Sequence, residues 1–239
     1  MDTAGYVSLS RQVGLAQELQ AVANNVANMS TAGYRAEGLV FAEMIEALEA
    51  EGGSVALTAA HARVTSDRQG ALQATGARFD LALEGEGFFQ VETPQGTRLT
   101  RAGSFSPDAT GELVTPQGYR LLDAGGAPIF IPGEATDVRI ATDGTIVVDG
   151  APVAQVGRVS TDQPWQRVRE DGVLFRAEGP VIPAEDNSVM QGFLESANVN
   201  PVAEISRMIE VQRAYEAGQR LLDREDERIR QVMQTVTQR

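Results

Sequence analysis

The chain has 239 residues, 42% of them apolar, enough for one sizeable core or two smaller modules. Its net charge of −13 argues against nucleic acid and against an anionic membrane surface as partners. It has no Cys, which excludes disulfides and thiolate metal sites.

The charge is unevenly placed. Residues 1–35 and 198–239 are each neutral, so the whole excess of acid sits in residues 36–197. Neutral ends can pack densely against copies of themselves, while an acidic middle stays solvated. All 20 basic residues are Arg. The start lacks a basic n-region and an unbroken apolar h-region, so no cleavable signal peptide is expected. No run approaches the roughly 18 apolar residues that a membrane span needs.

Residues 3–29 read as a helix. Leu9, Ala16 and Ala23 share a face with Leu19 and Val26, widened by Leu15 and Val22. Its last turn holds Asn24, Asn25 and Asn28, poor helix formers. Two readings stay open: amides that hydrogen-bond to neighbouring chains, or side chains that cap a fraying end. Gly33 is available for the left-handed turn that ends the helix. Residues 36–75 read as an extended linker. Within them Phe41–Glu51 suits a short acidic helix stopped by Gly52-Gly53.

From residue 76 to 190 short apolar runs alternate with turn signals such as Thr93-Pro94-Gln95-Gly96, Thr115-Pro116-Gln117-Gly118, Asp143-Gly144 and Asp149-Gly150. This pattern predicts a central all-β domain built of hairpins.

Residues 191–239 return to helix. Asn200 is a ready N-cap and Pro201 a good first residue. Met208, Tyr215, Leu222, Ile229 and Val236 then recur every seven positions, with Ile205 and Met233 but also Gln212, Gln219 and Asp226 on the companion seam. The fold class expected is therefore α+β. Long N- and C-terminal helices pair as an antiparallel coiled coil and enclose the central β domain. The domain boundaries expected are 1–35, 36–75, 76–190 and 191–239. A helix of this length outruns its partner in the same chain, so partner chains are expected on the surplus.

Candidate chemistry is sparse. The lone His61 has no ligand pattern around it. Glu84 and Glu86 flank Gly85 in an apparent turn and read as a solvated hairpin tip, not a glycosidase pair. Asp223–Glu227, interleaved with Arg220, Arg224 and Arg228, reads as a solvent-facing ion-pair network. Trp165 reads as a packed loop residue. No enzyme activity and no cofactor or metal are expected.

Three stretches together resemble the bacterial flagellar rod and hook proteins. The first is Ala23-Asn24-Asn25-Val26-Ala27-Asn28 with Thr31-Ala32-Gly33-Tyr34-Arg35. The second is Gly87-Phe88-Phe89-Gln90-Val91 with Leu99-Thr100-Arg101-Ala102-Gly103-Ser104-Phe105. The third is Leu194-Glu195-Ser196-Ala197-Asn198-Val199-Asn200 with Met208-Ile209-Glu210 and Gln212-Arg213-Ala214-Tyr215-Glu216. Leu99 stands where the family usually has Tyr, and Ala197 where Gly is common. Length and Ser10-Arg11-Gln12 resemble the proximal-rod branch; the distal rod subunit FlgG and hook-type axial subunits are the alternatives, and a β-rich wall-active enzyme is a more distant one.

The resemblance implies a structural subunit of the basal-body rod, in the periplasmic space, exported through the flagellar type III apparatus. It would assemble with the rod proteins FlgB, FlgC and FlgG and the rod cap into a helical tube that transmits motor torque. It implies no nucleic-acid, membrane or small-molecule partner. The subunit-interface residues expected are Leu9, Leu19, Asn24, Asn25, Val26, Asn28, Tyr34, Asn198, Asn200, Met208, Gln212, Arg213, Tyr215, Leu222 and Ile229.

Overall fold

A computed structural model describes the backbone of residues 3–47, 54–184 and 186–237, and the side chains of residues 8–40, 63–184, 186–231 and 233–234. The side chains of His61 and Val236 and the whole Gly52-Gly53 stop lie outside these described parts. The chain forms two compact units and passes between them four times. Unit 1 holds residues 1–27, 37–65 and 200–239, and unit 2 holds residues 28–36 and 66–199.

Unit 1 contains helix α1 (Thr3–Ala27), an antiparallel hairpin of β1 (Glu37–Ala47) and β2 (Ser54–Thr65), and helix α2 (Pro201–Thr237). Helix α1 packs against α2 and against both hairpin strands. The hairpin corrects the expected acidic helix over Phe41–Ala47, and the rest of that stretch, residues 48–51, lies outside the described residues. Ala, Glu and Met favour helix there, but pairing with β2 from Glu37↔Thr65 to Ala47↔Ser54, with one register shift between Val40 and Phe41, overrides local propensity.

The expected pair of long terminal helices wound as a coiled coil is not formed. Helix α1 has 25 residues against 37 in α2. Its buried residues among those described are Gln12, Gly14, Ala21, Val22 and Asn25, whereas Leu9 and Val13 are exposed. On α2 the buried residue is Val211, off the predicted seam; Met208, Tyr215 and Leu222 are half-buried and Ile229 is exposed. A coiled coil needs large apolar knobs repeated along both partners. Here the Gln12 amide beside Gly218 and the Glu18–Arg207 ion pair mark the contact, and no continuous apolar seam develops.

Unit 2 is built from short strands. A mixed-length antiparallel sheet runs in the order β14 (Arg167–Asp171), β15 (Leu174–Ala177), β6 (Gly96–Thr100), β5 (Phe88–Thr93), β9 (Arg120–Leu121), β8 (Leu113–Val114) and β7 (Ser106–Pro107). Strand β13 (Arg158–Thr161) pairs with β5 and with β16 (Val181–Pro183). A second sheet holds β10 (Val138–Ile140), β11 (Thr145–Val148) and β12 (Ala151–Gln155). Two strand pairs complete the unit: β4 (Leu81–Glu84) with β17 (Ser188–Gln191), and β3 (Leu72–Ala74) with β18 (Phe193–Glu195).

Alternation along these strands sends Leu81, Leu83, Phe89, Val91, Ile140, Ile146 and Val148 into one core, where Phe89 meets Phe105 edge to face at 5.6 Å. The turn chemistry fits the sequence reading. At Asp149-Gly150 both residues have positive φ (49° and 84°), as a two-residue turn matched to strand twist requires. Trp165 departs from expectation. It sits on a single 3-10 turn (Pro164–Gln166) and is 75% exposed.

Candidate assembly site

In unit 1 the two helices run antiparallel where they touch. The Gln12 amide donates to the Tyr215 carbonyl at 3.0 Å, and farther along Arg207 Nε donates to Glu18 at 2.7 Å. Gly218 leaves room for the Gln12 amide in this position, because a Cβ there would lie 1.8 Å from Gln12 Nε2. The Glu18 carboxylate raises the Arg207 guanidinium above its ordinary pKa. Asn200 caps α2: its Oδ1 accepts from the Val202 and Ala203 amides at 3.1 and 3.2 Å.

Beyond this contact α2 carries a run of exposed apolar side chains: Val202, Ile205, Ile209, Leu221, Ile229 and Met233. The first three lie at i, i+3 and i+7, on one helical face. Among the described residues of this 37-residue helix one side chain is buried and these six large apolar ones are exposed.

The Asn-rich end of α1 is engaged within unit 1. Asn25 is buried and clasps both backbone groups of Glu37. The Glu37 amide donates to Oδ1 at 2.8 Å, and Nδ2 donates to the Glu37 carbonyl at 2.9 Å. Asn24 Nδ2 donates to the Glu37 carboxylate at 3.4 Å and its Oδ1 accepts from Gln20 at 3.1 Å. Leu19 and Val26 are half-buried and Leu9 is exposed. On α2, Gln212 donates to Glu216, Gln219 donates to the Tyr215 hydroxyl, and Arg213 is exposed.

The remaining predicted residues belong to unit 2, where Asn28 accepts from the Thr31 hydroxyl at 3.2 Å. Tyr34 is buried, with the Arg169 guanidinium 4.7 Å above its ring. The Asn198 amide holds three stretches of chain together. Its Oδ1 accepts from the Ala36 amide at 2.6 Å. Its Nδ2 donates to the Arg68 carbonyl at 2.6 Å and reaches the Ser66 carbonyl and hydroxyl at 3.4 and 3.3 Å. Backbone bonds reinforce it: Asn198 N to Tyr34 O, Ser66 N to Ala36 O, Gly33 N to Glu195 O and Ser196 N to Ala71 O.

Beside Asn198 lies a buried charge cluster that the sequence reading missed. Glu195 accepts from Arg35 at 3.0 Å on one oxygen and from Arg101 at 3.1 Å on the other, with all three side chains at most 2% exposed. The Gly70 amide also donates to Glu195. Arg35 donates to the Asp67 and Arg68 carbonyls, and Arg101 to those of Leu83 and Gly85. Burial pushes the Arg101 guanidinium down to about 10, opposed by Glu195, so it remains charged through the neutral range. The signal for these residues was present. Arg35, Arg101 and Glu195 are single charges inside motif stretches that are otherwise small, polar or apolar. The cleft beside them, about 140 Å³, is lined by Arg35, Arg101 and Arg167 but also by Asp67, Glu86 and Asp162. Its charges balance, so it offers no net field to an anion.

Three family models match the chain. They are the flagella basal body rod protein model over residues 6–35, the flagellar hook protein FlgE/F/G D1 domain over 82–148, and the flagellar basal body rod FlgEFG protein C-terminal region over 190–235. Among curated relatives, the flagellar basal-body rod protein FlgF of Rhizobium meliloti is 38% identical over 219 residues, covering 90% of each chain. FlgF of Caulobacter vibrioides is 37% identical, covering 93% of each. The rod protein FlgG of Bacillus subtilis is 27% identical, covering 95% of this chain and 97% of its own. Matches of this extent at both ends and in the middle have one reading: the chain belongs to the flagellar basal-body rod protein family.

Proposed function

We propose that this chain is a structural subunit of the proximal rod. It polymerises with other rod proteins (FlgB, FlgC and FlgG) beneath a rod cap, in the periplasmic part of the basal body, after export through the flagellar type III apparatus. Its work is mechanical. It carries motor torque along a helical tube and catalyses no reaction. One observation carries this reading: α2 leaves the apolar face of Val202, Ile205 and Ile209 uncovered, and continues with Leu221, Ile229 and Met233 exposed. A head-to-tail contact that does not close on itself builds a filament. Many small packing contacts along such a helix resist shear collectively.

Leu9, Leu19, Met208, Gln212, Arg213, Tyr215, Leu222 and Ile229 lie on helix surfaces and serve as subunit contacts in this proposal. The proximal assignment draws support from identities of 34–38% to FlgF relatives, against 27–31% to FlgG relatives. Deleting residues 205–236 tests the proposal. Rods should stop short and cells should be non-motile, and normal swimming by the deletion strain would sink the idea.

A further inference from the structure

We infer that Asn198 and the Arg35–Glu195–Arg101 cluster form the load joint of this subunit, the place where force carried by the helices enters the β-rich unit. The inference rests on the rod reading above and goes beyond it by naming the residues that bear the load.

The argument starts from chain connectivity. Force that neighbouring subunits apply to α1 and α2 reaches unit 2 covalently through the crossings at 27/28, 36/37, 65/66 and 199/200. The Asn198 side chain bonds the unit 2 ends of two of these crossings, Ala36 and Ser66, and Asn198 itself is one residue from the end of a third. One amide thereby ties three strands of chain at their unit 2 ends, alongside the backbone bonds from Ser66 N to Ala36 O and from Asn198 N to Tyr34 O. Only an amide serves, because the site uses an acceptor on one side and a donor on the other. A carboxylate would keep the bond from Ala36 and lose the donors to Ser66 and Arg68.

The charge cluster anchors the same three stretches one layer deeper. Arg35 lies two residues before the 36/37 crossing, and its guanidinium reaches back to Asp67 and Arg68 just after the 65/66 crossing. Glu195 leads into the 199/200 crossing and holds Arg35, Arg101 and the Gly70 amide at once. Arg101 in turn is bonded to the carbonyls of Leu83 and Gly85, in and just after a core strand. Separating one member leaves a buried charge without its partner, which is strongly destabilising, so pulling any one stretch away is opposed by the whole cluster.

The test uses Asn198→Asp and Arg35→Lys in the full-length chain, expressed in its own bacterium lacking the wild-type copy. Lys keeps the charge facing Glu195 but not the forked reach to two carbonyls. Arg139→Ala, in an exposed ion pair with Asp137, serves as control. Three readouts are taken: rod completeness in isolated basal bodies by electron microscopy, swimming at low load, and rotation of tethered cells near stall. The expected result is complete rods and low-load swimming for all three, with stall torque and filament retention lost in the Asn198 and Arg35 variants alone. Normal stall torque in both would overturn the inference. So would folded variants that give no rods, which would make these residues assembly contacts, or failure of both variants to fold, which would make the cluster a folding requirement only. An Ile209→Asp strain run alongside reports on the rod reading itself: complete rods there would remove that reading whatever the other variants do.

Discussion

The Arg35 guanidinium lies 3.0 Å from the Glu195 carboxylate, with both side chains almost wholly withdrawn from solvent, and Arg101 holds the second oxygen of the same carboxylate. Glu195→Gln removes the charge that both arginines share while keeping the shape. We expect a loss of about 3–5 kcal/mol in stability, since two buried guanidiniums would lack a counter-charge. Denaturant unfolding of the full chain measures it. A change below about 1 kcal/mol, the scale of an exposed pair, would show that the cluster is solvated in solution.

Acid should act on unit 2 through its turns. The Asp108, Asp143 and Asp149 carboxylates accept local hydrogen bonds, chiefly from Thr110, Thr145 and the Asp137 amide respectively, and are held below the ordinary carboxylate value. Groups depressed in the folded state bind protons more readily when unfolded. Their contribution is therefore full above the unfolded value near 3.8 and is lost as pH falls through the lower folded values. Thermal unfolding should be flat in pH from about 5 to 8 and shift downward below about 4, less so in Asp149→Asn. An unchanged slope in that variant would remove Asp149 from the account.

Gly33 takes φ of +73°, and a Cβ there would sit 2.2 Å from the Ala102 backbone nitrogen. Gly70 is equally confined, 1.9 Å from the Ser196 carbonyl oxygen. Backbone cannot swing aside as a side chain can. Gly33→Ala should cost roughly 3 kcal/mol or more, strain and collision together, whereas Gly118→Ala, strained at +86° but in open space, should cost about 1 kcal/mol. Equal melting temperatures for the two would contradict this ranking.

Asn25 fills the role of a missing strand neighbour for Glu37, satisfying both of its backbone groups at the start of β1. Asn25→Ala should destabilise unit 1 by about 1–2 kcal/mol, because two part-buried backbone groups lose their partner. Hydrogen exchange at the Glu37 amide gives a direct reading. Undiminished protection there would mean that the clasp does not form in solution.

Much of this molecule was legible residue by residue, and the failures have a common cause. The Asn200 cap and the Asp149-Gly150 turn depend on neighbours within a few positions, and both read correctly. Strand β1 did not, because its Ala, Glu and Met favour helix locally and the partner that overrides them lies in β2. The coiled coil failed for the same reason. Periodicity marks where apolar residues recur on α2, but the covered face holds Val211 and meets Gln12, from the opposite end of the chain, at Tyr215 and Gly218. Asn198 stands in a motif, and nothing local in that motif foretells that its amide bonds to Ala36 and Arg68. No local pattern reveals that Arg35, Arg101 and Glu195, far apart in sequence, share one buried site.

The central claim is that the apolar face of α2 exists to meet other rod subunits. The most direct measurement is electron microscopy of basal bodies from cells carrying Val202→Asp with Ile209→Asp, alongside circular dichroism of the purified variant. Both residues are exposed, so the variant should keep the wild-type helix signal. We predict rods that stop short and cells that do not swim. Complete rods and normal swimming, with the substitutions in place and the chain folded, would contradict the claim.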